Sequence, residues 1–245
     1  MTRPTHTLIL QSTKIIAPKV RHLVFACEGE ETFNFIPGQF ITLHIPHGEK
    51  PLNRSYSIAN THQQGNLIEF AASYVEKGVA SELLFNMEPG DKITATGPFG
   101  RLILRDEKPA RYILIATGTG VTPYRAMLKE LEKRLAESKD TRVLLLFGTR
   151  IPEELLYADE FIAFAEKNPR FEYRACYSRH NPALLKPHEY FGYVHKALVD
   201  FKPDPQTDVV YLCGNPNMID DTFAKLCEHG FTSQSVRREK YISSH

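Results

Sequence analysis

Apolar and polar positions alternate with a period near two through roughly the first hundred residues, and then the rhythm changes. Residues 6–16 (HTLILQSTKII), 20–28 (VRHLVFACE), 39–46 (QFITLHIP), 54–59 (RSYSIA), 66–75 (NLIEFAASYV) and 91–97 (DKITATG) are short runs rich in β-branched and aromatic side chains. Turn signals at Pro37-Gly38, Gln64-Gly65-Asn66 and Pro89-Gly90-Asp91 separate them. The pattern predicts six strands of an antiparallel β-barrel with one short helix over 79–86. After the polar linker RDEKPA at 105–110, the runs RYILIAT, RVLLLFG, FEYRACYS and DVVYLCG are almost continuously apolar, as strands of a parallel sheet buried on both faces must be. Tyr124, Met127, Leu128, Leu131 and Leu135 repeat at helix spacing after Pro123, and 153–167 does so after Pro152. Strand and helix alternate, so residues 106–245 are predicted to form a doubly wound α/β domain behind a barrel domain of residues 1–105.

Composition narrows the function classes. A chain of 245 residues with 42% hydrophobic content can bury two cores. Thirty basic against 29 acidic residues leave a formal charge of +1, so no global field points to nucleic acid or an anionic membrane. The opening MTRPTHTLIL is too short an apolar run for a signal peptide, and no later run approaches the ~20 residues that cross a bilayer. A soluble cytoplasmic protein is expected, and the lack of a long apolar surface stripe points to a monomer. Cys27, Cys176, Cys213 and Cys227 are scattered with no C-x-x-C pair, which suits neither a zinc site, an iron-sulfur cluster nor a disulfide scaffold. Free thiols and no metal are expected.

Candidate chemistry gathers at strand ends. In ATGTGVTPYRAML (116–128), Gly118 and Gly120 allow a tight turn, Thr122 can cap, and Pro123 suits a first helical turn, so backbone amides would face an anion. The segment is neither G-x-G-x-x-G nor a P-loop, and an ordinary strand-to-helix turn would look similar. Arg150 follows the second strand of this half, and Ser178 and Arg179 the third; two guanidinium groups and a hydroxyl suit a phosphate monoester, with solvated surface arginines as the alternative. The last strand ends at Cys213-Gly214, with Asn215 as a cap and Pro216 opening a helix. Cys213 is open to two roles, a soft contact for a flat ring or a small apolar filler.

Arg54-Ser55-Tyr56-Ser57, Gly78-Val79-Ala80-Ser81, Gly97-Pro98, Gly118-Thr119-Gly120 and Cys213-Gly214, in this order and spacing, resemble the ferredoxin-NADP reductase family of flavoproteins over nearly the whole chain. The resemblance implies that Arg54 binds the FAD pyrophosphate, Tyr56 lies along the isoalloxazine ring, and Ser57 offers a hydrogen bond near flavin N5. It implies a second pyrophosphate contact from the 78–81 segment, and a flavin wall formed by Ala71, Ala72, Ser73 and Tyr74. Gly118, Thr119, Gly120 and Pro123 would serve the NADP pyrophosphate and nicotinamide, and Arg150, Ser178 and Arg179 the 2′-phosphate. Cys213 and Gly214 would lie beside the nicotinamide, with Met218 and Tyr241 completing the cofactor set. Tyr56, Ser57 and Cys213 are thereby the expected catalytic residues.

The implied activity is transfer of electrons between NADPH and a one-electron carrier, ferredoxin or flavodoxin, through FAD. Rival functions on the same scaffold are an NAD(P)H-flavin reductase, the reductase subunit of an oxygenase, and a regulatory protein that binds flavin without turnover. Two features depart from the family pattern. Met218 is followed by Ile219 where plant-type members carry a glutamate, and Tyr241 is followed by four further residues. The basic stretch at 237–240 is a candidate for docking an acidic carrier, or a solvated face.

Overall fold

The computed structural model describes residues 4–61 and 65–241. They divide by their contacts into two compact units. The first contains the chain up to Leu104 together with Thr122–Met127, and the second contains Arg105–Val121 and the chain from Leu128 onward. Gln64, in one of the turn signals, and the residues after Tyr241 lie outside the described residues.

The first unit is built on β1 (Thr5–Ala17), β2 (Val20–Cys27), β3 (Phe40–Ile45), β4 (Leu52–Ser57), β5 (Leu67–Ser73) and β6 (Lys92–Phe99), paired antiparallel in the order β4-β3-β6-β1-β2-β5. Just past β4, Ala59 donates its amide to the Glu69 carbonyl of β5 at 2.7 Å, drawing the two edges together so that the sheet curls into a barrel. Alternation does the sorting: Leu23, Phe25 and Cys27, Ile41, Leu43 and Ile45, and Ile68, Phe70 and Ala72 all point into one core. Each large side chain there contributes roughly 1.5–3 kcal/mol by leaving water. α1 (Val79–Asn86) closes the barrel through Ala80 and Leu84. Arg21 donates to the carbonyls of Leu84 and Met87, satisfying the helix's C-terminal acceptors.

The second unit is a six-stranded sheet, parallel throughout, of order β10-β9-β8-β7-β11-β12. Its strands are β7 (Arg111–Thr117), β8 (Arg142–Thr149), β9 (Phe171–Tyr177), β10 (Glu189–Phe191), β11 (Asp208–Gly214) and β12 (Val236–Lys240). α2 (Thr122–Glu137), α3 (Ala158–Lys167), α4 (Val194–Asp200) and α5 (Pro216–Glu228) link them. Ile113, Ile115, Leu144 and Leu146 share a core with Val194 and Leu198 of α4 and Ile219 and Leu226 of α5. The intervening Leu114, Leu145 and Phe147 are equally buried, so both faces of the sheet are covered. From β7 the chain steps outward through β8, β9 and β10, then returns to lay β11 on the other side of β7. The strand order therefore reverses between β7 and β11, and a doubly wound sheet opens a ligand crevice at the carboxyl ends of such a pair.

Three expectations need correction. The helical pattern at 153–167 is broken: a 3-10 turn over Pro152–Glu154 is followed by Tyr157 at φ 56°, and α3 starts only after that left-handed residue. Thr122 is not a cap; Val121 precedes the helix, no side chain caps it, and Thr122 is its first residue. The 237–240 stretch is strand β12, and Arg237 in it is buried, paired with Glu107 at 2.7 Å and set over the Tyr211 ring, which removes it from any docking face. Its alternating apolar partners are too few for a period-two signal; pairing with β11 creates the strand.

Candidate dinucleotide sites

In the barrel, β4 carries Arg54, Ser55, Tyr56 and Ser57 and is held by β3 in the register Thr42↔Ser55, Ile41↔Tyr56. The Ser55 and Thr42 hydroxyls meet at 3.1 Å. Arg54 donates to the Asn53 carbonyl at 2.9 Å, and no ion pair of its guanidinium is formed among the described residues. Tyr56 is half-buried with its ring 4.8 Å from Phe70, and burial pushes its phenol up to about 12 despite the nearby Arg54. Ser57 is buried at the end of the strand. Ala71 and Ala72 of β5 are buried, Ser73 is exposed, and the hydroxyl of half-buried Tyr74 is bonded to Glu82.

Gly78 precedes α1 and no side chain caps the helix. The Ser81 hydroxyl has the carbonyls of Val75 at 2.7 Å and Gly78 at 2.9 Å in reach of its one proton and accepts from the Val75 amide at 3.1 Å. That side chain shapes the loop and has no proton left to donate to an anion. The first backbone amides of α1, from Val79 through Ser81, have no intrahelical acceptor and present the positive end of the helix. Val79 is exposed and Ala80 buried.

In the α/β unit, β7 and β11 pair with Cys213 opposite Ala116, which brings Gly118-Thr119-Gly120 against Cys213-Gly214. A Cβ on Gly120 would collide with the Cys213 carbonyl, and one on Gly214, at φ +127°, with the Thr117 carbonyl. Only glycine permits this approach. The Asn215 amide donates to the Thr117 hydroxyl at 3.0 Å, and the Asn215 side chain accepts from the amides of Asn217 and Met218, capping α5 as the sequence predicts. Gly118, at φ +53°, has nothing within 4 Å of where a Cβ would stand, so the turn faces open space.

Cys213 is fully buried, and desolvation, reinforced by Glu239, holds its thiol well above the usual range although Tyr241 hydrogen-bonds it. Tyr241 is fixed beside it by donating its backbone amide to the Gly214 carbonyl at 2.8 Å. Met218 packs in the core with Ile219 and Leu226, and Ile219 is fully buried. Asp220 is paired with Lys240.

Further along the same sheet edge, Ser178 donates its amide to the Thr149 carbonyl at 3.1 Å and Arg179 to the Arg150 carbonyl at 2.9 Å. The register thus sets Arg150 and Arg179 side by side, as the strand-end spacing predicts, with Ser178 half-buried and Arg179 exposed. Two features were missed by sequence reasoning. Glu154 grips Arg150, accepting from Nε at 2.8 Å and from the Arg150 amide at 3.1 Å; its spacing of four residues and the intervening Pro152 turn were the available signals. Thr122 is buried with its hydroxyl unpartnered among the described residues, immediately after the glycine turn. Pro123 follows in the first turn of α2, where its missing amide costs nothing.

Free cationic and amide donors, an unpartnered hydroxyl and glycine-permitted clefts are the donor set that dinucleotide phosphates and flat rings require. The oxidoreductase FAD-binding domain matches residues 7–103 and the oxidoreductase NAD-binding domain residues 114–223. A protein described as ferredoxin--NADP reductase B, from Sorangium cellulosum, is 32% identical over 86% of this chain and 86% of its own length. This chain belongs to the ferredoxin-NADP reductase family. It is a flavoprotein oxidoreductase whose cofactors are FAD and a nicotinamide dinucleotide.

Members with other roles are also similar. The toluate 1,2-dioxygenase electron transfer component of Pseudomonas putida is 28% identical over 86% of this chain, which spans 60% of that protein. Among solved structures, the Amycolatopsis cytochrome P450 reductase GcoB superposes with a TM-score of 0.84 at 27% identity, over 98% of this chain and 71% of that one. A Neisseria gonorrhoeae ferredoxin NADP+ reductase with bound FAD and NADP shares the fold at a TM-score of 0.83 and 23% identity, over 96% of this chain and 98% of that one. No helix among the described residues is long and apolar enough to cross a membrane.

Proposed function

We propose that the protein moves electrons between NADPH and a one-electron carrier protein such as ferredoxin or flavodoxin. Residues 1–105 would be the FAD-binding domain and 106–245 the NADP-binding domain. Bound FAD supplies the conversion between hydride and single-electron transfer, and the protein supplies orientation and electrostatics. In this scheme Arg54 and the first amides of α1 neutralise the FAD pyrophosphate, and Tyr56 gives the flavin a flat apolar face. Ser57 provides a hydrogen bond at its reactive edge. Ala71, Ala72, Ser73 and Tyr74 form a wall beside it.

Gly118, Thr119, Gly120 and Pro123 take the dinucleotide pyrophosphate at the head of α2. Cys213, kept as a neutral thiol by burial, and Gly214 bound the nicotinamide position, with Met218 and Tyr241, whose side chain hydrogen-bonds the thiol, completing the set. The observation that carries the preference for NADPH is the pair Arg150–Arg179, locked together by the Arg179-to-Arg150 backbone bond next to Ser178. Arginine pairs recognise a phosphate monoester through paired charge-assisted bonds and gain much less from a bare ribose hydroxyl, which is a neutral acceptor.

Replacing both arginines with alanine is expected to raise KM for NADPH by about 10- to 100-fold, the loss of one to two charge-assisted contacts, with KM for NADH almost unchanged. An equal rise for both would remove the assigned role. A second reading is favoured by the oxygenase components among the relatives: the carrier is the ferredoxin or oxygenase of such a system. Reduction rates measured with ferredoxin, flavodoxin and free flavin separate these acceptors.

A further inference from the structure

Ser57 ends β4, and under the reading above its hydroxyl serves the reactive edge of the flavin, so whatever fixes the chain just beyond it governs where that hydroxyl sits. Ser57, Ile58, Ala59 and Asn60 are all buried, yet only Ser57 lies in a strand. Buried backbone outside a ladder must find its partners elsewhere. Ile58 donates its amide to the Gln39 carbonyl at 3.0 Å, and Ala59 donates its own to the Glu69 carbonyl at 2.7 Å. Asn60 uses both ends of its side-chain amide on β5: Nδ2 donates to the Leu67 carbonyl at 2.8 Å, and Oδ1 accepts from the Glu69 amide at 2.7 Å. The Ala59 carbonyl remains, and its donor is a side chain from far along the sequence.

Arg125 lies in the first turn of α2, within the stretch Thr122–Met127 that packs in the barrel unit. Its Nη1 donates to the Ala59 carbonyl and to Glu69 Oε2, both at 2.8 Å. One nitrogen therefore bridges the backbone two residues after Ser57 and the acid on the neighbouring strand β5. Among the described residues nothing else donates to the Ala59 carbonyl, so loss of the guanidinium would leave a fully buried acceptor unpaired and release the chain beside Ser57.

We infer that Arg125 is a positioning residue for the flavin reaction, acting on the reactive edge of the cofactor through Ser57. The inference rests on the assignment of Ser57 to that edge. A guanidinium suits the task because its planar fork presents donors in fixed directions, whereas a lysine ammonium turns freely on a flexible stem. Precision matters here, since a misplacement of about 1 Å at a reacting centre can cost about 100-fold in rate.

A double-mutant cycle on the FAD-loaded protein tests the inference with two readouts, the midpoint potential of the bound flavin and the limiting rate of its anaerobic reduction by NADPH. Ser57→Ala and Arg125→Ala are each expected to slow reduction by about 10- to 100-fold and to shift the potential in the same direction. The protein carrying both substitutions should match Ser57→Ala in rate and in potential, because Arg125 then has nothing left to position. Additive changes would overturn the inference by showing that Arg125 acts through its charge or through the fold in general, and so would an Arg125→Ala protein that matches the wild type. If Ser57→Ala itself alters neither readout, the reading of Ser57 at the flavin edge falls and takes the inference with it. If Ser57→Ala alters both and the cycle is additive, only the role of Arg125 falls. Where thermal melting shows that Arg125→Ala does not fold, Arg125→Lys, which keeps the charge but not the fixed fork, carries the same cycle.

Discussion

Replacing Glu69 with glutamine should destabilise the barrel unit in a way that depends on pH. Glu69 on β5 receives Arg125 Nη1 at 2.8 Å and His22 Nε2 at 3.5 Å, with side-chain exposures of only 22% for the acid, 12% for the arginine and 8% for the histidine. Arg125 also donates to the Ala59 carbonyl at 2.8 Å, so the ion pair ties together the stretch where the barrel edges meet. The hydrogen bonds from His22 and then Arg125, working against burial, hold the Glu69 carboxyl down to about 2 from an ordinary 4.5. At about 1.4 kcal/mol for each tenfold shift in acidity, ionised Glu69 contributes about 3 kcal/mol to the folded state at pH 7.

The sign follows from the lowered value. The contribution is complete above pH 4.5, falls as pH drops through the interval toward 2, and is about 1.4 kcal/mol at pH 3. Urea unfolding of the wild type and Glu69→Gln, followed by tyrosine fluorescence, measures the difference at each pH. A deficit of about 3 kcal/mol at pH 7 that roughly halves by pH 3 is expected. A deficit that stays constant over that range, or no deficit at pH 7, would refute the electrostatic account of this cluster.

Gly120→Ala drives a methyl into the Cys213 carbonyl, a backbone atom with no freedom to yield, so a loss of about 1–3 kcal/mol in thermal or urea unfolding is expected together with weakened binding of the nicotinamide dinucleotide. Arg237→Ala leaves Glu107 without its partner and is expected to cost about 3 kcal/mol in the same unfolding assay. Lys240→Ala, which breaks only the exposed pair with Asp220, should cost less than about 1 kcal/mol, and equal losses for the two would contradict the burial of Arg237.

The barrel strands were legible because each buries one face, so period-two alternation in residues such as Leu23, Phe25 and Cys27 survives in the sequence. The strands from β7 to β9 and β11 were legible for the opposite reason, since burial on both faces leaves unbroken apolar runs. Strands β10 and β12 were not. They are short sheet edges whose residues, Tyr190 or Arg238 for example, need satisfy only one neighbour, and β12 buries Arg237 through an ion pair that composition cannot reveal.

Of the site, the glycine turns and the arginine row could be read directly, because φ, close approach and strand-end position restrict which residues fit. The grip of Glu154 on Arg150 and the proximity of Tyr241 to Cys213 could not, since both arise from the way separate turns and strands meet. Thr122 misled because a threonine before a proline has the signature of a cap, whereas Val121 takes that position and leaves the hydroxyl inside.

The most direct measurement is the visible spectrum of the purified protein, recorded anaerobically before and after NADPH and then NADH are added. A flavin spectrum bleached rapidly by NADPH and more slowly by NADH is predicted. A colourless protein that takes up no added FAD, or a bound flavin that neither dinucleotide reduces, would contradict the central claim that these two units pass electrons from a nicotinamide to a flavin.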